Sequence, residues 1–169
     1  QQEQNIFKYL NCGIRSTQSN VEIVNNRFDR IDRYQTNGSG FGIDITGGQI
    51  AGQTVNATIG GITSLPLHIW NRNTFISSLN GITVHQNSDA TVFNNVFLNI
   101  NLPNNNQSQK QLNRICIHAA NEVENTLTIS TNFMTNFQRG VVIRNLQQTS
   151  FSVDNNSING TNNYTGNES

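Results

Sequence analysis

An asparagine that returns at near-constant spacing constrains this chain more than any other feature. Asn5, Asn26, Asn73, Asn95, Asn132 and Asn156 each stand two residues before a large apolar side chain, namely Phe7, Phe28, Phe75, Phe97, Met134 and Ile158. With Gln53 in the place between Asn26 and Asn73, successive spacings are 21, 27, 20, 22, 37 and 24 residues. The residues around it repeat as well, in Ile23-Val24-Asn25-Asn26, Val92-Phe93-Asn94-Asn95, Ile129-Ser130-Thr131-Asn132 and Val153-Asp154-Asn155-Asn156. Trp70-Asn71-Arg72-Asn73 is a further copy, with Trp70 at an inward place, and Ile50 to Val55 a weaker one. A second marker alternates with the first: Gly13-Ile14, Gly42-Ile43, Gly61-Ile62, Gly81-Ile82 and Gly140-Val141, with Arg114-Ile115 standing in once.

A repeat of this length is the signature of stacked structural units. Within each unit the apolar residues alternate with period two, as in Gly81-Ile82-Thr83-Val84, which is strand periodicity. No stretch holds an apolar stripe at i, i+3, i+4, i+7. Strands of three to five residues that recur at four spacings between 20 and 24 predict a coil that closes on itself. Stacked coils then pair every strand with its equivalents above and below. The expected fold is therefore all-β, a right-handed parallel β-helix of about six coils, roughly 30 Å tall at the ~4.8 Å strand spacing. It forms one unit over residues 1–169.

In this geometry the repeated asparagine occupies a sharp corner. Asn tolerates left-handed backbone angles, and its amide bonds to the amides one coil up and one coil down. The expected ladder is Asn5, Asn26, Gln53, Asn73, Asn95, Asn132 and Asn156, with an apolar stack beside it. Polar insertions near 32–40 and 101–113 leave from one corner, three coils apart in this register, as walls of a shallow groove. Cys12 and Cys116 fall four coils apart, about 19 Å at that strand spacing, too far for a disulfide.

Composition agrees with an ordered but highly polar chain. Apolar residues make up 34% and charged residues 12%, against roughly 45–50% and 25% in ordinary domains. The nine Phe and the regularly placed Ile and Val argue against disorder. Ten basic and ten acidic residues cancel, and no basic stripe offers nucleic acid a footing. No apolar run approaches the roughly 20 residues of a membrane span. The opening Gln1-Gln2-Glu3-Gln4 has no signal-peptide character. The chain opens inside a copy of the repeat, which reads as a segment of something longer.

On these Asn and Gly-Ile markers, from Asn5 to about Ile158, the chain resembles the right-handed parallel β-helix repeat family, the architecture of pectate-lyase-like and periplasmic copper-site-type proteins. The resemblance implies architecture and little chemistry. The chain is also similar in style to large secreted β-helix proteins of bacterial cell surfaces, including those exported by type IX secretion.

Register turns the outward positions into columns. Two places after each glycine stand Arg15, Asp44, Thr63, Thr83, Cys116 and Val142, and four places after stand Thr17, Thr46, Leu65, His85, His118 and Arg144. Arg15, Asp44, His85, His118 and Arg144 form the candidate ligand face. His85 and His118 are expected to be neighbours, and two imidazoles at strand spacing suit metal binding or proton transfer. The surrounding Thr83 and Cys116 complete a ligand set poorly, so two exposed histidines and no metal or cofactor are expected. Asp44 lacks the partner carboxylate that glycoside hydrolysis requires. Arg15 with Asp44 reads as an exposed ion pair, and the group Asp29, Arg30, Asp32 and Arg33 as a solvated corner. Sequons such as Asn56-Ala57-Thr58 and Asn159-Gly160-Thr161 are expected by chance in this composition.

No catalytic residue is assigned. The expected role is structural or adhesive, in a secreted or cell-surface bacterial protein. Its partners would be the rest of a longer chain and a polysaccharide or surface glycan. A polysaccharide-binding or polysaccharide-degrading protein and a phage tail-spike segment are the alternatives.

Overall fold

A computed structural model describes residues 3–31, 40–48, 53–61, 72–100, 115–120, 126–144 and 150–160. The described chain is all-β, and its strands run in coils of three. The first coil holds β1 (Asn5–Lys8), β2 (Cys12–Thr17) and β3 (Val21–Ile23). The second holds β4 (Asn26–Asp29), β5 (Phe41–Thr46) and β6 (Val55–Ile59), and the third β7 (Thr74–Ile76), β8 (Asn80–His85) and β9 (Ser88–Phe93). The fourth holds β10 (Val96–Ile100), β11 (Ile115–Ala120) and β12 (Thr126–Ser130), and the fifth β13 (Phe133–Phe137), β14 (Arg139–Arg144) and β15 (Ser150–Asp154). β16 (Ser157–Asn159) opens a sixth coil.

All pairing is between coils and parallel. The first sheet is β1-β4-β7-β10-β13-β16, the second β2-β5-β8-β11-β14, and the third β3-β6-β9-β12-β15. The molecule is a parallel β-helix, with the six strands of the first sheet spanning about 24 Å at roughly 4.8 Å per step. Inward residues stack by register. The second sheet contributes Ile43, Ile82 and Ile117, and the third contributes Ile23, Ile59, Val92 and Ile129. Ala57 and Ala90, paired in register, put small buried side chains on the third sheet, whereas large side chains line the first sheet. There Phe7, Phe28, Phe75 and Phe97 stack ring on ring, with centroids 5.1, 4.8 and 4.7 Å apart, each pair adding about 0.5–1.5 kcal/mol beyond burial.

The ladder runs unbroken beside this stack. The Asn5 side-chain amide donates to Asn26 Oδ1 at 3.1 Å, Asn26 to Asn73 at 3.1 Å, and Asn73 to Asn95 at 3.0 Å. Asn95 donates to Asn132, and Asn132 to Asn156, both at 3.0 Å. The same Nδ2 groups reach carbonyls of their own corner, Val24, Phe93, Ser130 and Asp154. They also reach the corner one coil earlier, Ile23, Ile59, Val92 and Ile129.

Three expectations are corrected. First, Gln53 is not in the ladder: it is exposed and precedes β6 in the third sheet, while Asn26 bonds directly to Asn73 across 47 residues. β5 likewise pairs directly with β8, so no rung of the second sheet arises from Gly61-Ile62. Ile62, Thr63, Leu65 and Trp70 lie outside the described residues. A ~22-residue rule therefore divided one long coil into two.

Second, the ladder asparagine does not itself carry the left-handed backbone. At four of the six ladder positions the residue before it does: Asn25, Asn94, Thr131 and Asn155 have φ of 57°, 53°, 57° and 49°. The pair divides the work, one residue turning the chain and the next bonding across coils.

Third, the cysteines stand three coils apart rather than four, in β2 and β11, and both are free. Residues 32–39 and 101–113 lie outside the described residues. The strands before them, β4 and β10, are two coils apart rather than three.

The glycines of the second sheet answer to the phenylalanines. A Cβ on Gly13 would come within 2.6 Å of the Phe28 ring, one on Gly42 within 2.6 Å of Phe75, and one on Gly81 within 2.4 Å of Phe97. One coil on, the column holds the narrower, flexible Met134, and there Cys116 takes the glycine place, fully buried.

Asn95→Ala strands several buried polar groups and should lower unfolding free energy by about 3 kcal/mol, read by urea denaturation. Asn56→Ala, exposed on β6, should change it by less than about 0.5 kcal/mol, and equal effects would refute the ladder as a stabilising element. Gly81→Ala should cost about 1–3 kcal/mol by overpacking. Gly140→Ala, whose added Cβ would lie 3.3 Å from Phe137, should stay within about 1 kcal/mol of the parent.

Candidate functional site

The outward face of the second sheet carries the candidate residues, but in a different frame from the expected one. Backbone register aligns Arg15 with Asp44, Asp44 with Thr83, Thr83 with His118, and His118 with Val142. The neighbouring column is Thr17, Thr46, His85, Ala120 and Arg144. His85 and His118 are thus diagonal rather than side by side, and Arg144 follows Ala120 instead of His118. The cause is Cys116-Ile117, which holds the Gly-Ile place expected for Arg114-Ile115. A slip of two residues keeps every side chain on its face, so apolar alternation alone could not detect it.

Asp44 anchors this face. Its side chain is nearly buried, with 5% of the residue exposed. Arg15 Nε lies 2.9 Å from Asp44 Oδ2, and His85 Nε2 lies 3.2 Å from Oδ1. Burial alone would raise the carboxyl pKa. The hydrogen bond and charge of His85, then those of Arg15, outweigh it and hold Asp44 below the usual carboxylate range. The Arg15–Asp44 pair expected from the sequence is present, with the carboxylate side of it inside the fold. His85 joins it, a role that the sequence frame hid.

Thr83 and His118, paired in register, carry unsatisfied polarity on this face. Thr83 Oγ1 and His118 Nε2 are buried without a hydrogen-bond partner among the described residues, and Thr83 is only 1% exposed. Burial pushes the His118 pKa down, and the nearby charges of Arg144 and His85 push it further the same way. A neutral imidazole, a hydroxyl, a carboxylate and two guanidinium groups thus share one rigid sheet face. Such a mixture offers both donors and acceptors, which suits a polyhydroxy ligand. Among the described residues no three His, Cys, Asp or Glu side chains cluster closely enough to hold a metal ion. Cys116 is too deeply buried to act as a thiolate, its pKa driven far upward by desolvation.

A second polar group sits on the outward face of the first sheet, at the first two coils. Lys8, Arg27 and Arg30 surround Asp29, with N–O separations of 3.8, 3.4 and 3.9 Å. Asp29 is buried, unlike the solvated corner expected for it. Asp32 and Arg33 lie outside the described residues. Tyr9, which the sequence did not single out, joins through a 2.6 Å hydrogen bond from Arg30 Nη1 to its hydroxyl. The available signal was the 21-residue offset that places Tyr9 and Arg30 at equivalent corners.

No family model, curated protein or solved structure matches this chain. Among the described residues no helix is long and apolar enough to cross a membrane.

The pKa directions set an acid limb to stability. His118, depressed in the fold, takes up its proton more readily when unfolded. Its contribution is therefore complete above its ordinary value of about 6.5 and declines as pH falls below it. Asp44, also depressed, contributes above its ordinary value of about 4 and loses that contribution as pH falls through its folded value. Melting temperature followed downward from pH 8 should drop in two stages. His118→Gln should abolish the upper stage and Asp44→Asn the lower one.

Proposed function

We propose that this chain is a structural, adhesin-like β-helix segment of a large secreted or cell-surface bacterial protein, setting reach and rigidity and presenting its sheet faces for contact. The observation that carries the reading is the continuous ladder from Asn5 to Asn156 alongside the Phe stack. Every coil is tied to the next by side chains as well as by three parallel sheets, and that redundancy serves a rod. The low charged share of 12%, the zero net charge and the resemblance to surface β-helix proteins support the extracellular placement.

One observation favours a second reading, contact with a polysaccharide on the second sheet. Thr83 Oγ1 and His118 Nε2 are buried and unsatisfied beside Asp44, and sugar hydroxyls are suited to both. A single double variant separates the two readings. Under the structural reading, His85→Ala/His118→Ala keeps the resistance of the parent to pulling in force spectroscopy and its retention on a glycan array. Loss of glycan retention in that variant, with force resistance intact, would transfer the function to this face.

A further inference from the structure

The outward corner of the first two coils has the makings of an oxyanion site. Tyr9 and Arg30 occupy equivalent places one coil apart, with φ of 55° and 54°, so their side chains leave the stack in the same direction. The Tyr9 ring has Lys8 Nζ 5.1 Å and Arg30 Cζ 5.4 Å from its centre, both within the roughly 6 Å reach of a cation–π contact. Arg27 completes a set of three cations, with side chains 46% (Lys8), 42% (Arg27) and 57% (Arg30) exposed. They face one carboxylate, Asp29, whose side chain is only 13% exposed. The six strands of the first sheet contain no other acid. In a chain of zero net charge, this corner holds an excess of two positive charges, three cations against one carboxylate, with their outer sides in water.

We propose that Lys8, Arg27, Arg30 and Tyr9 form a binding site for a glycan bearing sulfate or phosphate esters, lying along the coil axis. Two guanidinium forks and an ammonium, gathered around the Asp29 carboxylate and partly exposed, suit a tetrahedral oxyanion. The exposed Tyr9 ring offers a flat apolar surface for the saccharide between charged groups. The parallel pairing of β1 with β4 holds Lys8 one coil from Arg27 and Arg30, so little ordering is left for the ligand to impose. Asp29 competes with the ligand for the same cations. This gives the site a signature that a merely solvated ion-pair cluster lacks: removing the carboxylate charge strengthens binding.

The test is retention on immobilised dextran sulfate and phosphorylated dextran, with neutral dextran as the blank, at low and moderate salt. The intact chain should be retained on one or both anionic polymers and released as salt screens the charges. Which of the two it prefers identifies the ester. Arg30→Gln should weaken binding by about tenfold, one charge-assisted contact, and Tyr9→Ala should weaken it severalfold. Asp29→Asn should tighten it severalfold. Arg139→Gln, which removes one positive charge from the second sheet, should leave it unchanged. Circular dichroism melts check that each variant is folded. The assignment is overturned by an intact chain that passes through both anionic columns, or by equal losses in Arg30→Gln and Arg139→Gln. Weaker binding in a folded Asp29→Asn, or retention on DNA without retention on either dextran ester, would overturn it as well. None of these outcomes bears on the ladder, so this site and the structural reading fail separately.

Discussion

The amide of one asparagine per coil, buried at the four inner rungs, is the constraint on which the fold depends. At each corner the backbone turns from the third sheet to the first, and the carbonyls there, some already accepting one backbone N–H (Ile23 from Gly60, Ser130 from Asn94), have a second lone pair to fill. A buried carbonyl without a partner costs about 1–3 kcal/mol. The ladder Nδ2 groups reach these carbonyls in their own coil and in the coil before, and the Oδ1 groups receive the amide from the coil before. Three adjacent coils are thereby fixed to one another at a single point. Asp or Ser could not substitute, because neither offers both a two-proton donor and a carbonyl acceptor.

The apolar core follows from this alignment. Once the corners are in register, the residue two places on is in register too, and Phe28, Phe75 and Phe97 stack face on face. Their ring edges press on the glycines of the second sheet, which must lack a Cβ wherever the neighbouring ring is aromatic. Cys116 appears where the stack changes to Met134. Asparagine, aromatic ring and glycine are thus one coupled choice.

Most of the fold was legible in the sequence because the strongest signals are local and repeat. The Asn pair and the apolar residue after it lie within four positions and specify corner, ladder and stack together. Gln53 was misplaced because coil length, unlike corner chemistry, is not fixed by any bond: the chain from Asn26 to Asn73 closes one coil, not two. The frame around His118 was misread because a strand slipped by two residues still shows its apolar side inward. The His85–Asp44 contact and the pairing of Asp44 with Thr83 were hidden by the rung expected at Gly61-Ile62, which set a coil between residues that are adjacent. Tyr9 was overlooked for another reason: its role comes from Arg30 one coil away, not from its own neighbours in sequence.

The unequal coil lengths have a consequence for how such a chain can change over time. The coil from Asn5 to Asn26 uses 21 residues and the one from Asn26 to Asn73 uses 47, yet both close on the same ladder and the same three sheets. Loop-closure entropy rises only with the logarithm of length, so the longer excursion costs about 0.7 kcal/mol more than the shorter. New segments can therefore be spliced into a corner without disturbing the strands on either side. A mutation within the Asn-any-Phe core breaks contacts in three coils, whereas an insertion beside it perturbs almost none. Evolutionary novelty, and deliberate grafting of foreign peptides, should accumulate at the corners of the stack while its axis stays fixed.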